Sequence, residues 1–266
     1  MEIRGTTIVV TGAAGGAGQA IVRALHSGGA RVVLTGRRVA EMEALAGRLP
    51  GSVVLPCDLS DTTALDRFLD EVLELGPVDG LIANAALPAT GRIEEYTTAQ
   101  IDRALDVNLR APIVMTQRLL PGMLERGRGH IVFVSSMGGK MGTARLALYS
   151  ASKFGMRGFG ASLRQDLSGS GVSASVVFPG SIIDGGMLTD AGVGASPGTK
   201  GVTCAAVADG VVKVITRDIG ELDVTNPTVK VASKVLALAP NLSDRLKNER
   251  MLAYADQLAE GMRDKR

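Results

Sequence analysis

Short apolar runs alternate with longer segments of helical periodicity along most of this chain, and this alternation restricts the folds available to it. The runs are almost continuously apolar and rich in Val and Ile, as expected for strands buried on both faces of a parallel sheet. Strands that alternate with helices form such a sheet, with right-handed crossovers and helices on both sides. The predicted strands are 6–10, 31–35, 52–56, 78–83, 130–135, 173–178 and, as a candidate seventh, 221–226.

The sequence therefore predicts an α/β fold, a doubly wound parallel sheet of about seven strands. Its 266 residues show no internal repeat or linker, so we expect one domain over 1–266. Within it we predict a glycine-rich loop at 181–202 and a C-terminal helical extension at 228–266. The helices between the strands are predicted at 17–27, 40–48, 62–75, 98–126 (with an interruption near Pro112), 148–167 and 205–216.

Composition excludes several classes of protein. The net charge of +2 provides no basic field of the kind that binds nucleic acid, and the basic end at 263–266 is interpreted as a solvated tail. No apolar run reaches the length of about 18 residues that a transmembrane segment needs. Cys57 and Cys204 lack metal or redox spacing and are predicted to be buried free thiols, and His26 and His130 lie far apart, so no metal site is expected. Few cysteines and no recognisable signal peptide favour a cytoplasmic setting.

A glycine-rich turn joins the first predicted strand to the first predicted helix. It reads Thr11-Gly12-Ala13-Ala14-Gly15-Gly16-Ala17-Gly18, a Gly-x3-Gly-x-Gly spacing. Glycines let backbone N–H groups approach a pyrophosphate closely, and the helix N-terminus favours its negative charge. The turn thus predicts dinucleotide contacts, although an ordinary glycine-rich turn would look similar. The predicted contact residues are Gly12, Gly15, Gly16, Ala17 and Gly18.

The ends of the next strands indicate which dinucleotide binds. The second strand ends in Gly36-Arg37-Arg38, where an NAD(H) site usually has an acidic residue. Arg37 and Arg38 can pair with a 2′-phosphate, so NADP(H) is favoured over NAD(H), unless both arginines merely solvate a helix start. Asp58, followed by Leu59, could accept from the adenine amino group or cap the next turn. Asn84-Ala85 ends the fourth strand at the same edge of the sheet.

Tyr149 and Lys153 are four residues apart at the start of a predicted helix, and so lie on one face of it. A cation beside a phenol lowers the pKa of the phenol, which can then exchange a proton with a substrate oxygen during hydride transfer. Most such pairs are surface neighbours, but Ser136 lies thirteen residues before Tyr149, at the end of the preceding strand. Its hydroxyl could polarise the same substrate oxygen, whereas Ser135 should point to the other face.

Together these residues resemble the classical short-chain dehydrogenase/reductase family. The resemblance is close over 5–185 and loose beyond. It implies a Rossmann-like fold and NADP(H)-dependent oxidoreductase activity on a carbonyl or secondary alcohol. The motifs that carry it are the glycine turn at 11–18, Asp58, Asn84-Ala85, Asn108, Ser136, Tyr149, Lys153 and Pro179-Gly180.

The resemblance also implies a role for each catalytic residue. Tyr149 would be the general acid/base, and Ser136 would orient the carbonyl. Lys153 would lower the pKa of Tyr149 and bind the nicotinamide ribose. Asn108, which alone would be read as a polar helix residue, would hold a water that links Lys153 to solvent. Pro179, Gly180 and Ile182 would line the nicotinamide pocket. Family members are usually homodimers or homotetramers, here with helices 98–126 and 148–167 as candidate faces.

Two segments depart from the family pattern. Asn84-Ala85-Ala86 stands where the family usually has Asn-Ala-Gly, and the added methyl group could tighten the cofactor turn. The threonine often found shortly after Pro-Gly is replaced by the segment 183–186. Contacts to the nicotinamide carboxamide are therefore open, with Thr189 as a candidate substitute.

The substrate is expected to be a small carbonyl or alcohol that enters between 136–142 and the loop 181–202. An apolar, lipophilic substrate is suggested by Met137, Met141, Ile182, Met187 and Leu188. An alternative is an NADP(H)-binding regulator without turnover. A third hypothesis is a structural or membrane-surface module led by the C-terminal helical pattern. For that pattern, core or subunit packing is favoured over membrane-surface binding. The residues of that pattern are Val229, Ala232, Val235, Leu236 and Ala239.

Overall fold

The computed structural model describes residues 1–238 and 249–265 and has a seven-stranded sheet at its centre. The strand order is β3-β2-β1-β4-β5-β6-β7, and each neighbouring pair is parallel. This arrangement confirms the predicted doubly wound α/β fold. The strands are β1 (Thr7–Thr11), β2 (Arg31–Thr35), β3 (Val53–Val54), β4 (Gly80–Ala83), β5 (Gly129–Val134), β6 (Val172–Pro179) and β7 (Glu221–Val224).

Helices cover both faces of the sheet. The helices are α1 (Gly16–Ser27), α2 (Val39–Ala46), α3 (Thr62–Glu74), α4 (Thr98–Leu105), α5 (Ala111–Glu125), α6 (Ala147–Asp166), α7 (Met187–Asp190), α8 (Cys204–Arg217), α9 (Pro227–Leu238) and α10 (Glu249–Gly261). Side chains alternate along each strand, so Val9 packs with α3, α5 and α6 while Val10 packs with α1, α2 and α8. Both faces are buried, which explains why the strand sequences are continuously apolar.

The helical stretch predicted at 98–126 is interrupted near Pro112, as predicted. Residues 106–110 form a π-helical turn between α4 and α5. Pro112 is the second residue of α5 and closely follows this turn, where it has no N–H to donate to a carbonyl of the preceding turn. Single π-turns are often found at functional sites, and this one contains Asn108.

The third strand is shorter than its predicted range of 52–56. Its pairing with β2 continues irregularly, since Leu55 N donates to Leu34 O at 3.0 Å. Pro56 has no N–H group to donate, so the regular ladder ends there.

The chain after β6 contains more structure than its irregular sequence predicts. α7 forms one helical turn inside the loop 181–202, and Ile182 pairs with Val202 across the base of that loop. In α9, Val229 packs against the core, whereas Val235 is 44% exposed. Ala239 and Arg266 lie outside the described residues. No helix within 1–238 or 249–265 is long and apolar enough to cross a membrane.

Both cysteines are buried free thiols, as predicted. His130, on β5, is also buried, and its Nε2 lies 2.8 Å from Ser175 Oγ. Burial is the main reason why the pKa of His130 falls from 6.5 to about 4. The charges of the N-terminus and Arg164 lower it further, and Asp218 opposes them.

We expect the chain to lose stability as the pH falls from 7 to 5, because His130 binds a proton only after unfolding in this range. With a pKa near 6.5 unfolded and about 4 folded, the loss is about 2 kcal/mol. Urea unfolding at both pH values measures it, and His130→Asn should reduce the difference. His26→Asn, a change at the only other histidine, is the control. An equal acid loss in all three proteins would contradict this prediction.

Candidate active site

A cleft of about 890 Å³ opens at the carboxyl ends of the strands. The sheet order reverses between β1 and β4, and open α/β sheets bind ligands beside such a reversal. Most of the residues predicted from sequence line this cleft. Those that line it are Gly12, Gly15, Ala17, Gly18, Arg37, Arg38, Asp58, Leu59, Asn84, Ala85, Ser136, Tyr149, Lys153, Pro179, Gly180 and Ile182.

The glycine turn has no room for side chains where it passes its neighbours. Gly12 has a φ of +64°, and a Cβ there would lie 2.9 Å from Ala85 Cα. A Cβ on Gly18 would lie 2.1 Å from Gly12 O. Gly16, by contrast, packs against Gly185 and is not among the residues that line the cleft. Its predicted contact with a cofactor stays a prediction.

Thr11 connects this turn to the end of β4, a role that sequence reasoning missed. Its Oγ1 accepts from Asn84 N at 3.0 Å and from Ala85 N at 2.9 Å. The Asn84 side chain returns the contact, because Nδ2 donates to Thr11 O at 2.9 Å. Asn84 therefore positions the glycine turn in addition to lining the cleft. The sequence signal that could have indicated this contact is that Thr11 ends β1 and Asn84 directly follows β4, the strand that pairs with β1.

At the far end of the cleft, the arginines lie beside the glycine turn. A Cβ on Gly15 would be 3.9 Å from an Arg38 guanidinium nitrogen. Asp58 both lines the cleft and caps the next turn, where its Oδ1 accepts from Ser60 N at 3.0 Å. Burial opposes ionisation of Asp58, but the Ser60 hydrogen bonds and the charges of Arg37 and Arg103 outweigh burial and lower its pKa. Arg103 was not predicted from the sequence.

Tyr149 and Ser136 meet in the middle of the cleft. A Cβ on Gly138 would lie 3.4 Å from the Tyr149 ring and 3.6 Å from Ser136 Oγ, so the two side chains flank the same point, and Ser136 Oγ accepts from Gly138 N at 3.1 Å. Burial raises the pKa of Tyr149, and hydrogen bonding by Ser136 opposes this rise only in part. The neighbouring hydroxyl of Ser135 points away as expected, since it donates to Lys153 O at 3.1 Å.

Lys153 lies below Tyr149 and is 1% exposed. Its Nζ donates to Val134 O at 3.0 Å and lies 5.7 Å from the centre of the Tyr149 ring. Burial lowers the pKa of Lys153 from 10.5 to about 8. The net shift at Tyr149 is upward in this structure, so the lowering of its pKa by Lys153 stays a prediction.

Asn108 supports the site from behind rather than lining it. Its Oδ1 accepts from Leu87 N at 2.7 Å, and its Nδ2 donates to Leu87 O at 3.0 Å and Ser152 Oγ at 3.3 Å. Ser152 Oγ in turn donates to Tyr149 O at 2.7 Å. These bonds connect the segment after β4 to the catalytic helix α6. The water-holding role implied by the family resemblance stays a prediction.

The substrate side of the cleft is largely apolar. The five residues predicted for it all line it: Met137, Met141, Ile182, Met187 and Leu188. Leu258 of α10 and Met262 pack on Leu188, so the C-terminal helix covers the cleft of its own chain, a placement that the sequence left open.

Residues 263–265 are exposed, as predicted for a solvated tail, but Lys265 also makes an ion pair. Its Nζ lies 3.0 Å from Asp190 Oδ2, and both residues border the cleft. The sequence could not show this ion pair, because the two residues approach only after α10 packs on α7.

The residues present fit a dinucleotide. The glycine turn has no room for side chains, and Arg37 and Arg38 both belong to the lining of the cleft. Thr189, the candidate substitute for the missing threonine, is exposed and is not part of the described lining. Among residues 1–238 and 249–265, no three His, Cys, Asp or Glu side chains are grouped to hold a metal ion.

Comparisons with known proteins agree with this geometry. The family model described as short chain dehydrogenase matches residues 6–192. The ketoacyl reductase HetN of Nostoc is 34% identical over 255 residues, which cover 92% of this chain and 88% of that protein. Nodulation protein G of Rhizobium is 38% identical over 185 residues, covering 68% of this chain and 75% of that protein.

Two solved structures extend the comparison. A metagenomic short-chain oxidoreductase in complex with NADP is 32% identical, with a TM-score of 0.70 over 84% of this chain and 96% of that chain. An actinorhodin polyketide ketoreductase variant with NADPH is 28% identical, with a TM-score of 0.76 over 83% of this chain and 95% of that chain.

Proposed function

Since this chain belongs to the short-chain dehydrogenase family, we propose that it is an NADP(H)-dependent oxidoreductase that interconverts a carbonyl group and a secondary alcohol. The observation that carries the proposal is that Ser136, Tyr149 and the buried Lys153 line the cleft together, with Lys153 Nζ 5.7 Å from the centre of the Tyr149 ring. Similar solved structures are complexes with NADP and NADPH, which supports the choice of cofactor.

In the reductive direction, Tyr149 donates its phenolic proton to the substrate oxygen. The bound nicotinamide supplies or takes up the hydride. Ser136 holds the substrate oxygen by a hydrogen bond, and its position beside Tyr149 brings both hydroxyl groups to one atom. Lys153 stabilises the phenolate that remains, because a cation close to a phenolate lowers the free energy of the charged form. A raised pKa keeps Tyr149 protonated at neutral pH, which favours reduction.

We also propose that the substrate is lipophilic. Support comes from the methionine and leucine side chains on the substrate side of the cleft and from the cover that Leu258 and Met262 provide. Apolar pockets with few polar groups bind ligands whose surface is mostly apolar. The ketoacyl reductase named among the relatives fits an acyl chain in this place.

The test follows the loss of NADPH absorbance with ketones, aldehydes and 3-oxoacyl thioesters of increasing chain length. We expect turnover that increases with apolar chain length until the cleft is filled. Tight binding of NADPH without turnover of any substrate would favour the alternative, a cofactor-binding regulator. Equal turnover of short polar and long apolar ketones would contradict the lipophilic substrate and leave the reaction class intact.

We expect Arg37→Ala and Arg38→Ala each to raise the KM for NADPH about tenfold and to leave the KM for NADH nearly unchanged. A charge-assisted hydrogen bond to a phosphate contributes roughly 1.5–3 kcal/mol to binding. NADH has no 2′-phosphate, so it does not make the hydrogen bond that the substitution removes. Arg67→Ala, an exposed arginine of α3, controls for the change in net charge. Equal losses for both cofactors would contradict the assignment to the 2′-phosphate.

A cytoplasmic location and a homodimer or homotetramer complete the proposal. The buried free thiols of Cys57 and Cys204 support a reducing compartment. Light scattering measures the number of subunits, and substitutions on the exposed faces of α5 and α6 test whether these helices form the subunit interface.

A further inference from the structure

The segment after β6 crosses the glycine turn at very close range. A Cβ on Gly16 would lie 2.9 Å from Gly185 Cα and 3.0 Å from Cys204 Sγ. A Cβ on Gly185 would lie 3.1 Å from the same sulfur. Two glycines in contact, next to the first residue of α8, therefore form a seam between the loop 181–202 and the N-terminus of α1.

Asp184, next to this seam, bonds to α8. Its Oδ1 accepts from Cys204 N at 2.7 Å, and this bond helps to lower the pKa of the carboxyl. On the other side of Asp184, Ile183 N donates to Val202 O at 3.0 Å. The loop is therefore held on both sides of this position: Ile183 bonds to Val202 at the base of the loop, and Asp184 bonds to the first residue of α8.

The seam fixes the position of residues that line the cleft. Ile182 and Gly186 both line it, and they flank Asp184 at a distance of two residues on either side. Asp184 itself is exposed and is not among the lining residues described. Any effect of Asp184 on the cofactor must therefore be transmitted through the backbone on either side of it.

We propose that Asp184 is a positioning residue that anchors the loop to α8, holds Gly185 against Gly16, and so places Ile182 and Gly186 along the cofactor side of the cleft. This inference rests on the proposed function, because it assigns Asp184 to the binding of the same NADP(H). It also gives a role to the segment 183–186, which departs from the family pattern.

A plain helix-capping role would give a different result. Thr203 caps the same helix, since its Oγ1 accepts from Ala206 N at 3.1 Å. Both side chains satisfy free N–H groups in the first turn of α8, and either loss should destabilise the helix by a similar amount. Of these two capping side chains, only that of Asp184 comes from the loop, so Thr203→Ala is a matched control.

The experiment compares Asp184→Ala, Asp184→Asn and Thr203→Ala. We expect Asp184→Ala to raise the dissociation constant for NADPH about tenfold and to speed hydrogen exchange at Ile183 N in the free protein. Asp184→Asn should keep both the NADPH affinity and the exchange rate at Ile183 N close to those of the unaltered protein, because its amide oxygen can accept from Cys204 N. Thr203→Ala should lower the melting temperature as much as Asp184→Ala and leave NADPH affinity within about twofold of the unaltered protein.

Two outcomes would overturn the inference. One is an Asp184→Ala protein with unaltered NADPH affinity. The other is a loss of affinity that is equal in Thr203→Ala and Asp184→Ala. If the unaltered protein does not bind NADPH at all, the proposed function fails instead, and the exchange rate at Ile183 N still tests the anchor.

Discussion

Tyr149→Phe should reduce kcat/KM for carbonyl reduction by about three orders of magnitude while NADPH still binds. General acid catalysis by a positioned side chain contributes about 10²–10⁴-fold, and this change removes only the hydroxyl that provides the proton. The ring should keep its place, because it packs against the cluster of Ala89, Ala104 and Leu148. Steady-state kinetics and NADPH titration of the same preparation measure the two parameters separately.

Tyr96→Phe is the matched control, since it removes a phenolic hydroxyl outside the lining of the cleft. We expect it to retain kcat/KM within about twofold. Full activity in Tyr149→Phe would show that another group provides the proton. A parallel loss of NADPH binding would show that the hydroxyl acts on the cofactor instead.

The ionisation of Tyr149 also predicts how the two directions depend on pH. Reduction needs the neutral phenol, so its rate should fall as the pH rises through the raised pKa of Tyr149. Oxidation of the alcohol needs the phenolate, so its rate should rise over the same range. pH profiles of both directions, measured with the same alcohol and ketone pair, test this. Two profiles that fall together would contradict the assignment of Tyr149.

The fold was predictable from the sequence because the inner strands, such as β1, β4 and β5, are buried on both faces and so leave continuous apolar runs. The errors lie where one residue changes a regular pattern. Pro56 ends the third strand early, and the π-turn at 106–110 adds a residue to a helical turn without a signal in the periodicity. Pro112 indicated the place of this interruption but not its π-helical geometry.

The site was predictable where one motif holds all the interacting residues. Tyr149 and Lys153 lie on the same helix, so their proximity follows from their spacing. The contacts of Thr11 with Asn84, of Asp184 with Cys204 and of Lys265 with Asp190 each join distant parts of the chain. Such pairs depend on how the elements pack, and one sequence alone does not indicate which distant residues come close together in space.

Gly18→Ala should weaken NADPH binding at least about a hundredfold and destabilise the free protein by about 1–3 kcal/mol, the usual range for overpacking. The new methyl group would lie 2.1 Å from Gly12 O, which is backbone and cannot move aside like a flexible side chain. The backbone of the turn must then shift. Binding is expected to suffer most, because the turn works only if its N–H groups keep their directions.

Gly158→Ala provides the matched control on another helix, α6, where the new methyl group meets nothing within 4 Å. There the same change should leave NADPH affinity intact and raise stability by up to about 1 kcal/mol, the difference in helix propensity. Thermal unfolding with and without NADPH separates the two effects: the cofactor should raise the melting temperature of Gly158→Ala and barely change that of Gly18→Ala. If NADPH stabilises both variants equally, the pyrophosphate does not bind at the glycine turn, because a shift of the Gly18 backbone would then have no effect on binding.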